Sequence, residues 1–406
     1  MTPVSRASRV RGTNVHIYPA PLRHQSRMQK ITRTLAEAAV FDRIILVGVA
    51  TGRSAEREEL DDRREIVGLP RRLFSRSSHT FGKAIRTVEW YWRVVRALAR
   101  EPVACVNCHS LPVLPLCAAL ARWKRSKLVY DTHELETETV ASTGVRKALQ
   151  KLVERLLIRR ADEIIVVNEP IADWYRKNYN LQRVWVVKNV PYNSGPTPAR
   201  SSRLRDLYGM GEEDIIFLYL GGLWHGRGTK ALLDAFSTAG LDRHLVMMGF
   251  GEMVPLVEEY SARYRNIHYH PSVKPEEIGD IAAGADVGLS LIENVCLSYF
   301  LCLPNKVFEY ITSGVPVLVS DFPVMGELID RCGCGWKAAP ATQSIREAVM
   351  TITPASIRAK REAALSVRAT FGWQYEEPSL LKVYEGLFPG ADDGMASGVE
   401  AVFTAP

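Results

Sequence analysis

The sequence predicts an α/β fold made of two doubly wound parallel-sheet domains. Three observations predict it. Apolar runs of strand length alternate with helical patterns through the first half, and the same alternation restarts after a Pro/Gly/Ser stretch beginning at Asn193. Glycine-rich turns follow strands in the second half, most plainly from Gly221 to Gly228. At 406 residues, 47% hydrophobic and 24% charged, the chain has enough apolar material for two ordinary cores.

In order, the first half reads VHIYPA, a helix from about Gln25, RIILVGVA, a helix from about Phe81, VACVNC, a helix from about Val113, KLVYDT, a helix from about Val145, and EIIVVN. Charged, aperiodic Thr51 to Arg76 interrupts the alternation and reads as a surface loop, with Asp61 and Asp62 as solvated charge. After VWVVKNVPYN the composition shifts to Asn193-Ser-Gly-Pro-Thr-Pro-Ala, the expected boundary between a first domain over 1–192 and a second over 193–371. The second half continues with IIFLYLGG, a helix from about Thr229, HLVMMGFG, a helix, NIHYHPSV, a helix, DVGLSLI, a helix and VPVLVS. Residues 389–406 have little to bury and are expected to form a disordered tail.

Leu303 to Asp321 concentrates the chemistry. Pro304 and Asn305 suit a helix start, Val307, Phe308 and Ile311 an inward face, and Gly314 a helix end. In an open parallel sheet, ligands sit beyond the carboxyl ends of the strands, where helix N-termini offer unpaired N–H groups to a phosphate. Lys306 and Glu309 share a face of this helix, as cation for phosphate and carboxylate for a sugar hydroxyl, or as a solvated i,i+3 ion pair. The Gly221–Gly228 turn carries Arg227 in the same strand, loop and helix order.

Charge and cysteines bound the function classes. No run reaches the roughly 18 apolar residues that would span a bilayer, and Met1 to Val10 lacks the apolar core of a signal peptide, so the cytoplasm is the expected address. Seven cysteines suit reduced thiols. Cys105, Cys108 and His109 spell a haem-attachment spacing, but on a buried strand; Cys332 and Cys334 lack a second pair for zinc, so no metal is expected. A formal charge of +7 suits an anionic ligand, a membrane or nucleic acid, and composition does not choose. Its distribution says more. Arg86, Arg93 and Arg100 line one face of the helix from Phe81, and Arg146, Lys147, Lys151, Arg155 and Arg159 crowd the helix from Val145. Such faces suit an anionic membrane surface, or simply solvent.

PNKVFEY followed by SGVPVLVSD resembles the donor-site signature of the retaining GT-B glycosyltransferases of family 4, which implies two Rossmann-like domains facing each other across a cleft. Further matches follow in order along most of the chain. The resemblance implies transfer of a hexose from a UDP- or GDP-linked donor to a saccharide or lipid-linked saccharide acceptor in surface polysaccharide assembly. It also implies retention of anomeric configuration, no metal, and no nucleic-acid partner. In the family a pair of glutamates eight residues apart flanks the donor helix. Glu309 matches the second, which holds the ribose, and Leu301 stands where the first, near the donor sugar, is expected. The Gly221-Gly222 turn is similar to the family's phosphate element, with Arg227 in place of lysine and Gly222 in place of arginine, and Gly249 and Gly251 match the next turn. KLVYDTHELE resembles the motif whose histidine lies beside the donor sugar, which carries onto His133, with His109, Asp131 and Glu134 nearby as cleft-lining candidates. The N-terminal glycine loop of the family is replaced by a loop with Arg23 and Arg27, either of which inherits a phosphate or acceptor role. The implied catalytic group is His133, Arg227 and Lys306, with Gly221, Gly222, Gly249, Gly251, Asn305 and Glu309 on the donor. A final helix, about 372–388, is implied to cross back onto the first domain. Two other readings use the same architecture: a sugar-nucleotide epimerase, or a non-catalytic binding subunit in view of Leu301 and Gly222.

Overall fold

The computed structural model describes residues 10–389 apart from 24, 74–79, 194, 196–198, 239 and 241, so the expected tail lies almost wholly outside the described residues. Strands β1 (Val10–Ile17), β2 (Phe41–Val49), β3 (Glu56–Glu59), β4 (Arg64–Leu69), β5 (Val103–His109), β6 (Lys127–Asp131), β7 (Glu163–Val166) and β8 (Val184–Val186) form one sheet in the order β3-β4-β2-β1-β5-β6-β7-β8. Its helices are α1 (Ser26–Glu37), α2 (Thr80–Ala97), α3 (Leu114–Lys124), α4 (Gly144–Leu157) and α5 (Glu169–Tyr179). Met28, Ile31 and Leu35 of α1 pack on one face, and Trp90 and Val94 of α2, Leu116 and Leu120 of α3, and Ile171 and Tyr175 of α5 on the other. Burial on both faces is why the central strands are unbroken apolar runs.

The segment Thr51–Arg76 is not simply a loop. It contains β4, which pairs parallel with β2, and β3, which pairs antiparallel with β4 at the sheet edge. Asp61 turns the hairpin by accepting from the backbone N–H of Arg63 and Arg64, at 3.0 and 2.9 Å. The four residues of β3, EREE, are all exposed, and charge on an edge strand blocks pairing with other chains. That exposure is also why no alternation marks the strand.

After α6 (Arg203–Tyr208), strands β9 (Ile215–Leu220), β10 (Arg243–Gly249), β11 (Ile267–Pro271), β12 (Val287–Ser290), β13 (Val317–Ser320) and β14 (Gly335–Ala338) form an all-parallel sheet in the order β11-β10-β9-β12-β13-β14. Helices α7 (Thr229–Phe236), α8 (Val254–Arg263), α9 (Pro275–Ala283), α10 (Leu297–Phe300), α11 (Asn305–Thr312), α12 (Pro323–Cys332), α13 (Thr342–Thr351) and α14 (Pro354–Val367) complete this half, and α15 (Trp373–Leu387) ends the described chain. Helix α15 lies on the first sheet: Tyr384 Oη donates to Asn107 Oδ1 at 2.7 Å, and Trp373 Nε1 to Thr34 Oγ1 at 2.8 Å. The two chain crossings between the sheets run side by side, because Asn193 Nδ2 donates to Phe371 O at 2.8 Å and Arg368 donates back to Asn193 Oδ1 at 2.8 Å.

Candidate active site

The site forms where the carboxyl ends of the two sheets meet, the position that open parallel sheets favour for ligands. In the second sheet, β9 ends at Leu220 and the chain turns through Gly221 at φ +113°, a conformation an L side chain rarely adopts. A Cβ on Gly249, at the end of β10, would lie 1.8 Å from Gly221 O, so the two turns stack at backbone contact. Over this platform Lys306 Nζ sits 3.5 Å from the centre of the Tyr219 ring rather than in an ion pair with Glu309. Burial, with Arg227 nearby, holds the ammonium well below its usual pKa. Arg227 rests its guanidinium on Tyr299, 4.3 Å from the ring centre. Asn305 opens α11, no side chain caps that helix, and the Val307 N–H turns back to Pro304 O at 3.1 Å, which leaves the Asn305 and Lys306 N–H groups to a ligand. Glu309 is pushed above the ordinary carboxylate range by burial, against the pull of Lys30 from α1 and of Lys306. Half-buried, with Lys30 and Lys306 acting on it, the Glu309 carboxyl group is placed to meet a ligand's hydroxyls.

The first sheet brings His133 to the opposite wall. Its ring stacks on Tyr18 at 5.6 Å, and its Nε2 lies 3.1 Å from His109 Nδ1. Burial lowers its pKa to about 3 despite Asp131, so the imidazole is neutral at pH 7. Behind it, His109 Nε2 meets His16 Nδ1 at 2.8 Å, and His109 Nδ1 lies 3.2 Å from Asp131 Oδ2. His109 and Asp131 do not line the open cleft, since each is only 1% exposed. The reason is Arg27, whose Nε and Nη2 donate to both Asp131 oxygens at 3.0 and 2.7 Å while Nη1 reaches Val187 O at 2.8 Å. Arg27 is therefore committed to the first domain and is not available to a phosphate. Arg23 is exposed on the loop after β1. Glu134 faces the second domain and accepts from Ser298 Oγ at 3.0 Å.

The sequence matches the family described as Glycosyl transferase 4-like domain over residues 7–192 and the family described as Glycosyl transferases group 1 over residues 214–353. The chain belongs to the GT-B glycosyltransferases. Sucrose-phosphate synthase from Thermosynechococcus elongatus superposes with a TM-score of 0.76 at 14% identity, over 93% of this chain and 99% of that one. Anabaena HepE in complex with UDP-glucose superposes with a TM-score of 0.70 at 12% identity, over 92% of this chain and 100% of that one. Among curated proteins, chitobiosyldiphosphodolichol beta-mannosyltransferase of Eremothecium gossypii is 26% identical over 263 residues, 55% of this chain and 54% of the relative, so the match spans about half that protein's length.

In this GT-B chain several site residues carried no signal in the sequence. Tyr219, Tyr299 and Tyr18 are the ring platforms under Lys306, Arg227 and His133, and only contacts reveal them. Leu301, at the position where a glutamate is expected, packs with Leu297 against the core of the first domain, and Leu301 O accepts from Asn168 Nδ2 at 2.8 Å. Cys105 and Cys108 are fully buried within β5, out of reach of a haem, and His109 belongs to the histidine chain. His109, Asp131 and His133 offer ligand atoms within 4.8 Å of one another. A cation there would meet the Arg27 guanidinium, which already occupies Asp131.

Proposed function

We propose that the protein transfers a hexose from a UDP- or GDP-linked donor to a lipid-linked saccharide acceptor in surface polysaccharide assembly, with retention of anomeric configuration. The observation that carries the reading is the convergence of Lys306, Arg227 and the uncapped start of α11 opposite His133. Arg227, Lys306 and a helix N-terminus meet the negative charge that grows as the nucleoside diphosphate departs, and His133 faces the sugar. Because these groups do the work of a divalent cation, turnover is expected to survive chelation by EDTA. The donor class finds support in HepE, solved with UDP-glucose, and the acceptor class in the printed name of the mannosyltransferase relative.

A thermal-shift series with UDP, GDP and their sugar conjugates tests the donor. A ligand at 100 times its Kd stabilises by about 2.7 kcal/mol. Glu309→Ala is expected to shrink that shift while leaving the ligand-free melting temperature close to wild type, since the lost contact is to the nucleotide ribose. An unchanged shift would remove Glu309 from the donor site, and no shift with any nucleotide would remove the function.

The membrane is the proposed location of the acceptor. Helix α4 turns Val145, Leu149, Leu152 and Leu156 to solvent, at 86, 59, 52 and 64% exposure, while Glu154 on its inner side accepts from Tyr130, Tyr175 and Tyr179. Exposed Arg146, Arg155 and Arg159 flank this apolar stripe, whereas Lys147 and Lys151 pair with Glu138 and Arg93 with Glu89. An interfacial helix of this kind adds apolar burial to about 1 kcal/mol per cation near an anionic leaflet. Flotation on anionic vesicles is expected to weaken at high salt without vanishing, and Leu149→Ser with Leu152→Ser to abolish the salt-resistant part. Indifference to anionic vesicles at low salt would make the face a solvated one and the acceptor soluble.

A further inference from the structure

We infer that Glu134 is the residue of this chain that binds the donor sugar's hydroxyls, delivered from the first domain to the place that Leu301 leaves apolar. The inference rests on the donor reading above and deepens it. Four observations converge. The donor helix is preceded by α10, whose first residue Leu297 and following residue Leu301 pack against the core of the first domain, so this segment offers no carboxylate to the cleft. Ser298, between them, donates to Glu134 Oε2 at 3.0 Å, and the Ser298 N–H donates to Glu138 O at 3.2 Å, which seats the segment against the strand end that carries Glu134. Glu134 follows His133 directly, and on its other side its charge is felt by Tyr299, Cys296 and Cys302 and attracted by Arg227. Finally, only one of its oxygens is used: Oε1 has no partner among the described residues.

Chemistry gives that free oxygen a task. A sugar joined to a diphosphate held by Arg227 and Lys306, and reaching toward His133, passes the Glu134 carboxylate on the way. A carboxylate accepts two or more hydrogen bonds and donates none, which suits vicinal hydroxyls. Burial lifts the Glu134 carboxyl above the usual range, and Ser298 and Arg227 draw it back. A partly desolvated acceptor gains more from a hydroxyl than one in open water.

The test compares nucleotides with and without the sugar. Calorimetric affinities for UDP and GDP, and for their glucose, galactose, N-acetylglucosamine and mannose conjugates, are measured on the full chain, Glu134→Gln and Ser298→Ala. Glu134→Gln is expected to leave the free nucleotide within about twofold of wild type and to weaken the bound sugar nucleotide by roughly tenfold to a hundredfold, the range for losing a hydrogen bond to a charged group. Ser298→Ala should lose less, because the carboxylate remains. Equal weakening of nucleotide and sugar nucleotide, or none of either, would overturn the inference. A Ser298→Ala loss as large as that of Glu134→Gln would make the pair an interdomain latch and overturn it as well. If wild type binds none of the ten probes, the donor reading itself falls and takes the inference with it. Wild-type binding with an indifferent Glu134→Gln removes the inference alone.

Discussion

Arg227→Ala is expected to lower turnover by about 10²–10³-fold while weakening donor binding far less. The guanidinium is held on the Tyr299 ring, on the loop after β9, across the site from Lys306 on the Tyr219 ring. Burial weakens the hold of Lys306 on its proton, which puts more of the work on the Arg227 guanidinium and its fork of donors. Negative charge on the leaving diphosphate grows only as the sugar departs, and a fixed fork of donors is worth most at that moment. The loss should therefore fall on kcat. Arg227→Lys should recover part of the rate, since it restores charge without the fork. Equal losses in kcat and in nucleotide affinity would reduce Arg227 to a binding residue, and an unchanged kcat would remove it from the site.

How much of this was legible in the sequence follows from the kind of signal each feature gives. The parallel strands are buried on both faces, so they appear as apolar runs, and the glycine turns appear because backbone contact at Gly249 tolerates no Cβ. Strand β3 left no trace, because all four of its residues are exposed charges. Arg27 looked like a phosphate ligand because it stands in the loop that replaces the family's glycine loop; its partner Asp131 lies 104 residues further along the chain, and no local pattern announces such a pair. For the same reason His109 and Asp131 looked cleft-lining when they are the buried support of His133. The missing glutamate at Leu301 was visible, but the docking of Leu301 into the other domain was not. The basic residues of α4 were equally plain. Which of its two apolar sides faces outward depends on the burial of Glu154 among three tyrosines, a tertiary fact.

Arg27→Ala is expected to destabilise the protein by about 3–5 kcal/mol, because it leaves an uncompensated carboxylate in the interior. Both partners are almost fully buried, at 4 and 1% side-chain exposure. In the wild type, burial pushes the Asp131 carboxyl up, but Arg27, with His109 and His133, outweighs it and holds the group well below the ordinary range. A depressed folded-state pKa means that the stabilisation is present above the unfolded carboxyl value, about 3.9, and is lost as pH falls through the folded one. Without Arg27, burial prevails and the carboxyl moves up. The variant then carries its penalty at pH 7 and sheds it on acidification, as Asp131 takes a proton. Urea unfolding at pH 7 and at pH 4.5 should therefore show a wide gap between wild type and variant that narrows at the lower pH. Asp131→Asn in the Arg27→Ala background should recover part of the loss at pH 7, since it removes the stranded charge. A gap below about 1 kcal/mol, or one that Asp131→Asn does not reduce, would mean that solvent or the neighbouring histidines neutralise Asp131 without Arg27. His133 leans on Asp131 through His109, so the buried pair also sets the ring that faces the donor. A variant that still folds at low temperature should for that reason lose turnover before it loses nucleotide affinity.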